Sequence, residues 1–174
     1  MFLIGGIYFK ALIFFFFLTI MLWASIKDIL TFTIPNKIPL FLLFLFLFFA
    51  FYKYLENPEE FLLFLIERSL IAISNLVLGI IIWQLGFIGG GDIKLFAVLG
   101  LWFSLKNILL MIVMTSFLGG VIALFLIFIR TFLKNRKYPQ CLNQLMNDKN
   151  GIPYGVAICF SAIICFVIEN FYKL

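Results

Sequence analysis

Residues 38–52 read Ile-Pro-Leu-Phe-Leu-Leu-Phe-Leu-Phe-Leu-Phe-Phe-Ala-Phe-Tyr, an apolar run without one charged side chain. A run that would make every side of a helix hydrophobic predicts a helix buried in a core or in a lipid bilayer. Five further apolar runs lie at about 3–26, 61–86, 93–105, 107–129 and 152–172. About 20 apolar residues are needed to cross a bilayer. The pattern therefore predicts an all-α polytopic membrane protein with about six transmembrane helices.

The whole chain shares the apolar character of this run. It has 174 residues, of which 65% are hydrophobic and 12% charged, and its mean hydropathy is +1.19. Soluble domains carry about 25% charged residues, so the composition excludes an ordinary soluble enzyme. The net charge of +5 comes from basic residues between the apolar runs; such residues set membrane topology and are not a signal for nucleic acid. We expect a single transmembrane domain over residues 1–174, in contact with membrane lipids.

The basic residues also predict an orientation. Loops one, three and five carry eight Lys and Arg residues against five on the opposite side, and the densest cluster lies at 130–137. By the positive-inside rule, these loops face the cytoplasm and both termini lie outside. The acidic residues Glu56, Glu59, Glu60, Glu67 and Glu169 all fall on the outer side, which is consistent with this orientation.

Two aspartates lie at the edges of apolar runs. Asp28 follows the first run and Asp92 directly precedes the fourth, so the predicted topology places both at the cytoplasmic face. Either one alone is equally compatible with a helix cap or a topological charge. The chain has no His, however, and two close carboxylates can share a proton, so that one activates water while the other donates a proton. The pair is therefore a candidate aspartyl protease dyad.

The residues around Asp92 are distinctive. Gly89-Gly90-Gly91 precedes it, and because glycine has no Cβ this run can adopt positive φ and approach a neighbouring chain closely. The plainer interpretation is a flexible loop with Asp92 as a helix cap. Lys94 lies two positions after Asp92, a spacing that points the two side chains to different helix faces. We expect Lys94 to contact lipid phosphates rather than the aspartate.

Two proline motifs each open an apolar run on the same side. They are Ile34-Pro35-Asn36 and Ile152-Pro153-Tyr154-Gly155. Proline suits the first turn of a helix, where its missing N–H is harmless, so helix initiation accounts for both prolines. Asn36 and Tyr154 remain candidates for contact with a substrate backbone. Gly119-Gly120, in the fifth run, predicts close helix packing.

The cysteines indicate no special chemistry. Cys159 and Cys165 lie in an apolar run and are predicted to be small buried hydrophobic residues. With Cys141 they form no C-x-x-C pair, so neither a zinc site nor a disulfide framework is expected. The predicted chemistry needs no metal and no cofactor.

Taken together, these motifs resemble the type IV prepilin peptidase family, the GxGD-type aspartyl proteases of bacterial and archaeal membranes. The matching segments are Asp28, Ile34-Pro35-Asn36, Gly89-Gly90-Gly91-Asp92-Ile93-Lys94 and Ile152-Pro153-Tyr154-Gly155. Their order, their spacing and the six-span layout all match. The resemblance implies that Asp28 and Asp92 are the catalytic pair, and that Gly89 and Gly91 are the glycines of the GxGD motif. It leaves Asn36, Lys94 and Tyr154 as candidates for substrate binding or structural support.

The resemblance also implies a substrate and a location. The enzyme would act at the cytoplasmic face of the inner (cytoplasmic) membrane on prepilins or pseudopilins. It would cleave after a leader glycine, just before the hydrophobic N-terminal helix of the mature pilin. Larger family members carry cysteine pairs in an N-terminal region that methylates the new N-terminus. No such pairs occur here, so we expect peptidase activity without a methyltransferase domain, as in the short forms associated with tight-adherence pili or archaeal preflagellins.

Two other classes of protein remain open at this stage. Carboxylates within a membrane also bind cations or relay protons in small transporters. A membrane scaffold for pilus or secretion assembly, including an inactive peptidase relative, would need no carboxylate chemistry. Substitution of the aspartates separates these alternatives from a peptidase.

Overall fold

The computed structural model of the protein describes residues 2–86, 88–132, 145–146 and 151–171, apart from the side chains of residues 2–5 and 7. Within these ranges the chain forms six long helices and no strand. The helices are α1 (Phe2–Thr31), α2 (Lys37–Glu56), α3 (Pro58–Gln84), α4 (Gly90–Trp102), α5 (Leu105–Phe132) and α6 (Tyr154–Phe171). The predicted all-α architecture is confirmed, and each of the six apolar runs corresponds to one helix.

The helices differ in length. In the described part of the chain, four are long and apolar enough to cross a membrane, namely Tyr8–Thr31 of α1 together with α2, α3 and α5. Helix α4 has 13 residues. At 1.5 Å per residue it is about 20 Å long, which is less than the ~30 Å hydrocarbon core of a bilayer. These lengths support a polytopic membrane protein in which α4 and α6 are shorter than the others.

The turn between α2 and α3 consists of the single residue Asn57. Its backbone N–H donates to the carbonyl of Lys53 at 3.0 Å and ends α2. Pro58 then begins α3. At the first position of a helix the backbone N–H has no helical partner, so proline, which lacks this N–H, loses no hydrogen bond there. Glu59 and Glu60 follow in the first turn, where carboxylates interact favourably with the positive end of the helix dipole. This sequence places α2 and α3 side by side.

The core of the bundle is aromatic. Helix α3 packs along α4 and α5 along α6, while α1 contacts α2 and α6, and α4 contacts α2 and α6. Where α1, α2, α4 and α6 meet, the rings of Phe17, Phe46 and Phe166 lie 5.1–5.7 Å from that of Trp102. Such pairs contribute about 0.5–1.5 kcal/mol each beyond their buried area. This cluster holds the C-terminal end of α4, so Asp92 lies at the other end of that helix.

A buried polar cluster ties α3, α5 and α6 near the C-terminal end of α6. Arg68 Nη2 donates to Glu169 Oε1 at 2.6 Å, and the Ser104 hydroxyl donates to Oε2 at 2.8 Å. The Asn107 amide also donates to Oε2. Sequence reasoning treated Arg68 and Glu169 only as charges on the outer side. It did not predict their pairing, because 101 positions separate them along the chain.

The packing predictions have mixed outcomes. Cys159 and Cys165 are free and buried, as predicted. A Cβ at Gly119 would come within 3.0 Å of the Tyr154 ring, whereas in the described part of the chain nothing lies within 4 Å of one at Gly120. The prediction of close packing is therefore right for the first glycine of that pair and wrong for the second. Cys141 and the basic residues 133–137 lie outside the described ranges.

Candidate active site

Asp28 lies in the last turn of α1 and is 4% exposed. Its Oδ2 atom is buried and makes no hydrogen bond. The backbone N–H groups of Gly155 and Val156, in the first turn of α6, face the carboxylate. First-turn N–H groups lack a partner four residues back, and the helix dipole favours negative charge at this end. The start of α6 thus supplies a favourable electrostatic environment for a buried carboxylate.

Asp92 is the third residue of α4, after the helix cap Gly89 and the first-turn residues Gly90 and Gly91. Its carboxylate turns back toward the backbone N–H of Gly89, an arrangement resembling one half of a capping box. A Cβ at Gly89 would lie 3.2 Å from Asp92 Oδ2. The cap residue is therefore Gly89, and Asp92 supports the helix start from inside its first turn.

The glycine run does not use the conformational freedom that the sequence suggested. Gly89 has φ −72° and ψ 145°, and among the described glycines only Gly86 has a positive φ, of 78°. The expectation of positive φ in this run is wrong, because α4 begins at Gly90 and two of the three glycines are helical. The expectation of close approach is right: a Cβ at Gly91 would lie 3.1 Å from the carbonyl oxygen of Ile34.

The fold brings the two aspartates into one site. Asp28 is close enough for its charge to act on Asp92. The charges of both also reach the thiol of Cys159, which lies one turn beyond Gly155 on α6 and pairs with the Ser25 side chain of α1. Cys159 and Ser25 are 0% and 6% exposed. Residues of α1, α4 and α6 therefore surround a common centre that contains both carboxylates.

Asn36 and Lys94 make a direct contact beside this centre. The Lys94 ammonium donates to Asn36 Oδ1 at 2.9 Å, and both residues are exposed. Asn36 is the cap residue of α2, and its side chain makes no capping hydrogen bond, which leaves the amide oxygen available to Lys94. The contact connects the start of α2 with the start of α4, in keeping with a supporting position for both residues.

A groove leads away from Asp92 between α3, α4, α5 and α6. Its volume is about 410 Å³, and its wall is largely apolar, with Ile88, Phe96 and Ile112 among the lining residues. Asp92 and Tyr154 also line it. Tyr154 is 37% exposed and rests against Gly119. The arrangement can hold an apolar segment beside a carboxylate.

Comparison with known proteins identifies the family. A sequence model of the type IV leader peptidase family matches residues 15–124, more than half of the chain. The chain belongs to this family. The match includes both aspartates and the glycine run, and membership indicates a protease with a function of the leader peptidase kind. Comparisons with curated proteins and with solved structures give no match.

Sequence reasoning missed part of the site of this leader peptidase family member. It quoted Gly155 within a motif but interpreted only the proline and the tyrosine there. The structure places Gly155 directly against Asp28, where a Cβ would lie 2.7 Å from Oδ2. It also places Ser25 and Cys159 beside the aspartates. In the described part of the chain, no three His, Cys, Asp or Glu side chains are grouped to hold a metal ion.

Proposed function

We propose that this protein is a membrane aspartyl endopeptidase that removes the leader peptide of type IV prepilins or pseudopilins. Cleavage follows a leader glycine at the cytoplasmic face of the membrane, and Asp28 and Asp92 are the catalytic pair. One observation carries the proposal: helices α1 and α4, distant in the chain, bring these two aspartates into one site beside an apolar groove. Membership of the leader peptidase family supports the same kind of reaction.

The pair can perform peptide hydrolysis with water as the only co-reactant. The ionised carboxylate takes a proton from water as the water oxygen attacks the scissile carbonyl carbon. The protonated partner donates to the carbonyl oxygen, which gives a tetrahedral gem-diol intermediate. The C–N bond then breaks as the carboxyl that took the water proton gives it to the leaving amine, while the other carboxylate takes back a hydroxyl proton, so that the pair returns to its starting state. The proposed mechanism requires the two carboxylates to titrate as one unit. Asp28 and Asp92 come from different helices, so the fold must hold them together.

The groove supports the assignment of the substrate. A prepilin presents its cleavage site directly before a hydrophobic helix, as the family resemblance implies. The largely apolar groove of about 410 Å³ has Asp92 on its wall. An apolar helix lying along α3 and α5 would place its first residues beside the dyad, next to Tyr154. The basic loops predict that this end of the bundle faces the cytoplasm.

The test is a cleavage assay in liposomes with a prepilin whose leader ends in glycine. We expect the parent protein to cut the substrate, and Asp28→Asn and Asp92→Asn each to lose activity by about 10³-fold or more, because each removes one partner of the acid/base pair. Mass spectrometry of the products locates the cleaved bond relative to the glycine.

Glu67→Gln is the matched control for charge. Glu67 is an exposed carboxylate on α3, so neutralising it should leave the rate unchanged. Activity retained by either aspartate variant would contradict the dyad. Failure of the parent to cut any of several prepilins would contradict the substrate class.

A further inference from the structure

Ile34 contacts both parts of the site, the part around Asp92 and the part around Asp28. It lies in the segment between α1 and α2 and is 6% exposed. Its backbone lies against Gly91, one residue before Asp92, and its side chain lies against Gly155, which itself touches Asp28. We propose that Ile34, Gly91 and Gly155 form a positioning joint that sets the placement of Asp28 relative to Asp92. This inference rests on the proposed dyad and adds to it three residues that act through the aspartates.

The contact with Gly91 is made by backbone atoms. A Cβ at Gly91 would lie 3.1 Å from the Ile34 carbonyl oxygen, 3.2 Å from its nitrogen and 3.2 Å from its Cβ. Backbone atoms cannot rotate away as the end of a side chain can. Any side chain at position 91 must therefore move α4 away from the segment between α1 and α2 by a few tenths of an ångström. Asp92 is the next residue on that helix and would move with it.

The contact with Gly155 is made by side-chain atoms. A Cβ there would lie 2.7 Å from Asp28 Oδ2, 2.8 Å from its Cγ and 2.9 Å from Ile34 Cδ1. These distances are far below ordinary contact, and Asp28 Oδ2 is already buried without a hydrogen bond. The ends of the two side chains would give way before the helices do. A methyl group at position 155 therefore displaces the Asp28 carboxylate while the fold is retained.

The end of α1 is shaped to bring Ile34 to this place. The N–H of Phe32 donates to the Asp28 carbonyl at 2.8 Å, and Phe32 has a φ of 51°. A non-glycine residue in this left-handed region costs about 1–2 kcal/mol, and such strain is retained where the surrounding structure determines it. The hydroxyls of Thr31 and Thr33 lie 3.0 Å apart and brace the turn. The chain therefore changes direction at Phe32, four residues after Asp28. This turn places Ile34 near the Asp28 side chain.

The first experiment compares four glycine variants in the prepilin cleavage assay. Gly155→Ala should lower kcat by roughly 10²-fold, the order expected for a misplacement near 1 Å, and Gly91→Ala should lower it less, by roughly tenfold, because its displacement is a few tenths of an ångström. KM should change less than kcat, by no more than about threefold, because neither glycine lines the groove. Gly151→Ala and Gly120→Ala are the matched controls, since no atom of the described residues lies within 4 Å of a Cβ at either position. Both controls should match the parent. Parent-like kcat in Gly155→Ala and Gly91→Ala would overturn the joint.

Ile34→Ala gives a second, milder test. It removes the side chain that faces Gly155 and Asp28 but keeps the backbone against Gly91. We expect kcat to fall by roughly tenfold or more with KM little changed. Ile13→Ala is its control, because Ile13 is also buried, at 3% exposure, on the part of α1 remote from Asp28. A comparable cavity there should lower stability but leave the kcat of the folded enzyme unchanged.

A geometric readout separates the joint from the proposed reaction. Asp28→Cys and Asp92→Cys are combined, and a short thiol-to-thiol cross-linker bridges the pair, with peptide mass spectrometry locating the bridge. Adding Gly91→Ala or Ile34→Ala should lower the yield several-fold, and adding Gly151→Ala should not. Equal yields in all backgrounds would refute the joint even if the dyad is catalytic. Reduced yields would support it even if Asp28→Asn retained cleavage and the proposed function failed.

Discussion

Asp28 and Asp92 have different surroundings. One carboxylate oxygen of Asp28 lies against Gly155, and the carboxylate faces the N–H groups at the start of α6. Asp92 turns toward the backbone of Gly89 and also lines the groove. Asp28 is therefore enclosed by protein, whereas Asp92 lies on the wall of the groove. At the scale of single residues, the surroundings of the two aspartates are asymmetric, which suits the proposed division of base and acid roles.

The proposed aspartate dyad predicts a bell-shaped dependence of kcat/KM on pH. At low pH both carboxylates are protonated and no base remains; at high pH both are ionised and no acid remains. The rate should therefore pass through a maximum and fall on each side, with the two apparent pKa values belonging to the pair. Initial rates across the acidic and alkaline ranges measure this. A rate that rises to a plateau at high pH would contradict a shared proton.

At the scale of elements, the starts of three helices define the site. Helix α6 presents its first N–H groups to Asp28, and α4 carries Asp92 in its first turn. Asn36, the cap residue of α2, accepts a hydrogen bond from Lys94. The joint at Ile34 connects these helix starts to the end of α1. The two carboxylates thus lie at helix ends, on α1 and α4, and the start of α6 faces Asp28.

Lys94→Met tests whether the link between α2 and α4 is structural. An exposed hydrogen bond of this kind is worth about 1 kcal/mol or less, so we expect a slightly lower unfolding midpoint in detergent and a cleavage rate within about threefold of the parent. Lys106→Met, an exposed lysine near the start of α5, is the control. A rate loss of about 10²-fold in Lys94→Met would instead assign Lys94 to the acid/base chemistry.

At the scale of the whole molecule, the two ends of the bundle are built differently. One end holds the aspartates, their glycine contacts and the groove. The other holds the buried pair of Arg68 and Glu169, which connects α3, α5 and α6 through Ser104 and Asn107. Glu169 lies 14 residues beyond Gly155 on α6, about 21 Å away. The polar cluster joins the helices at the end of the bundle opposite to the aspartates.

Neutralising one partner of the buried pair should destabilise the bundle. Arg68 is 7% exposed, so Glu169→Gln leaves a buried charge without compensation, at a cost of about 3–5 kcal/mol. The double variant Arg68→Met with Glu169→Gln should be less destabilised, because no unpaired charge remains. Unfolding midpoints in detergent measure both, with Glu67→Gln as the exposed control. A double variant that is less stable than Glu169→Gln alone would contradict this assignment.

The amino-acid sequence by itself determined the class of protein and the main candidates. Hydropathy depends only on local composition, so six apolar runs predicted six helices, including the short fourth one. The alternation of runs and loops then placed Asp28 and Asp92 at the same end. Short motifs also carried the family resemblance, because the residues around each aspartate are adjacent in the chain.

Only the tertiary structure decided which side chains touch. The contacts of Gly155 with Asp28, of Gly91 with Ile34 and of Arg68 with Glu169 join residues from different helices. Such contacts depend on how the helices are rotated and spaced, which no local pattern encodes. The same reason explains the mistaken expectation for Gly89–Gly91: Gly91 packs against Ile34 with a helical backbone, so the close approach needed no positive φ.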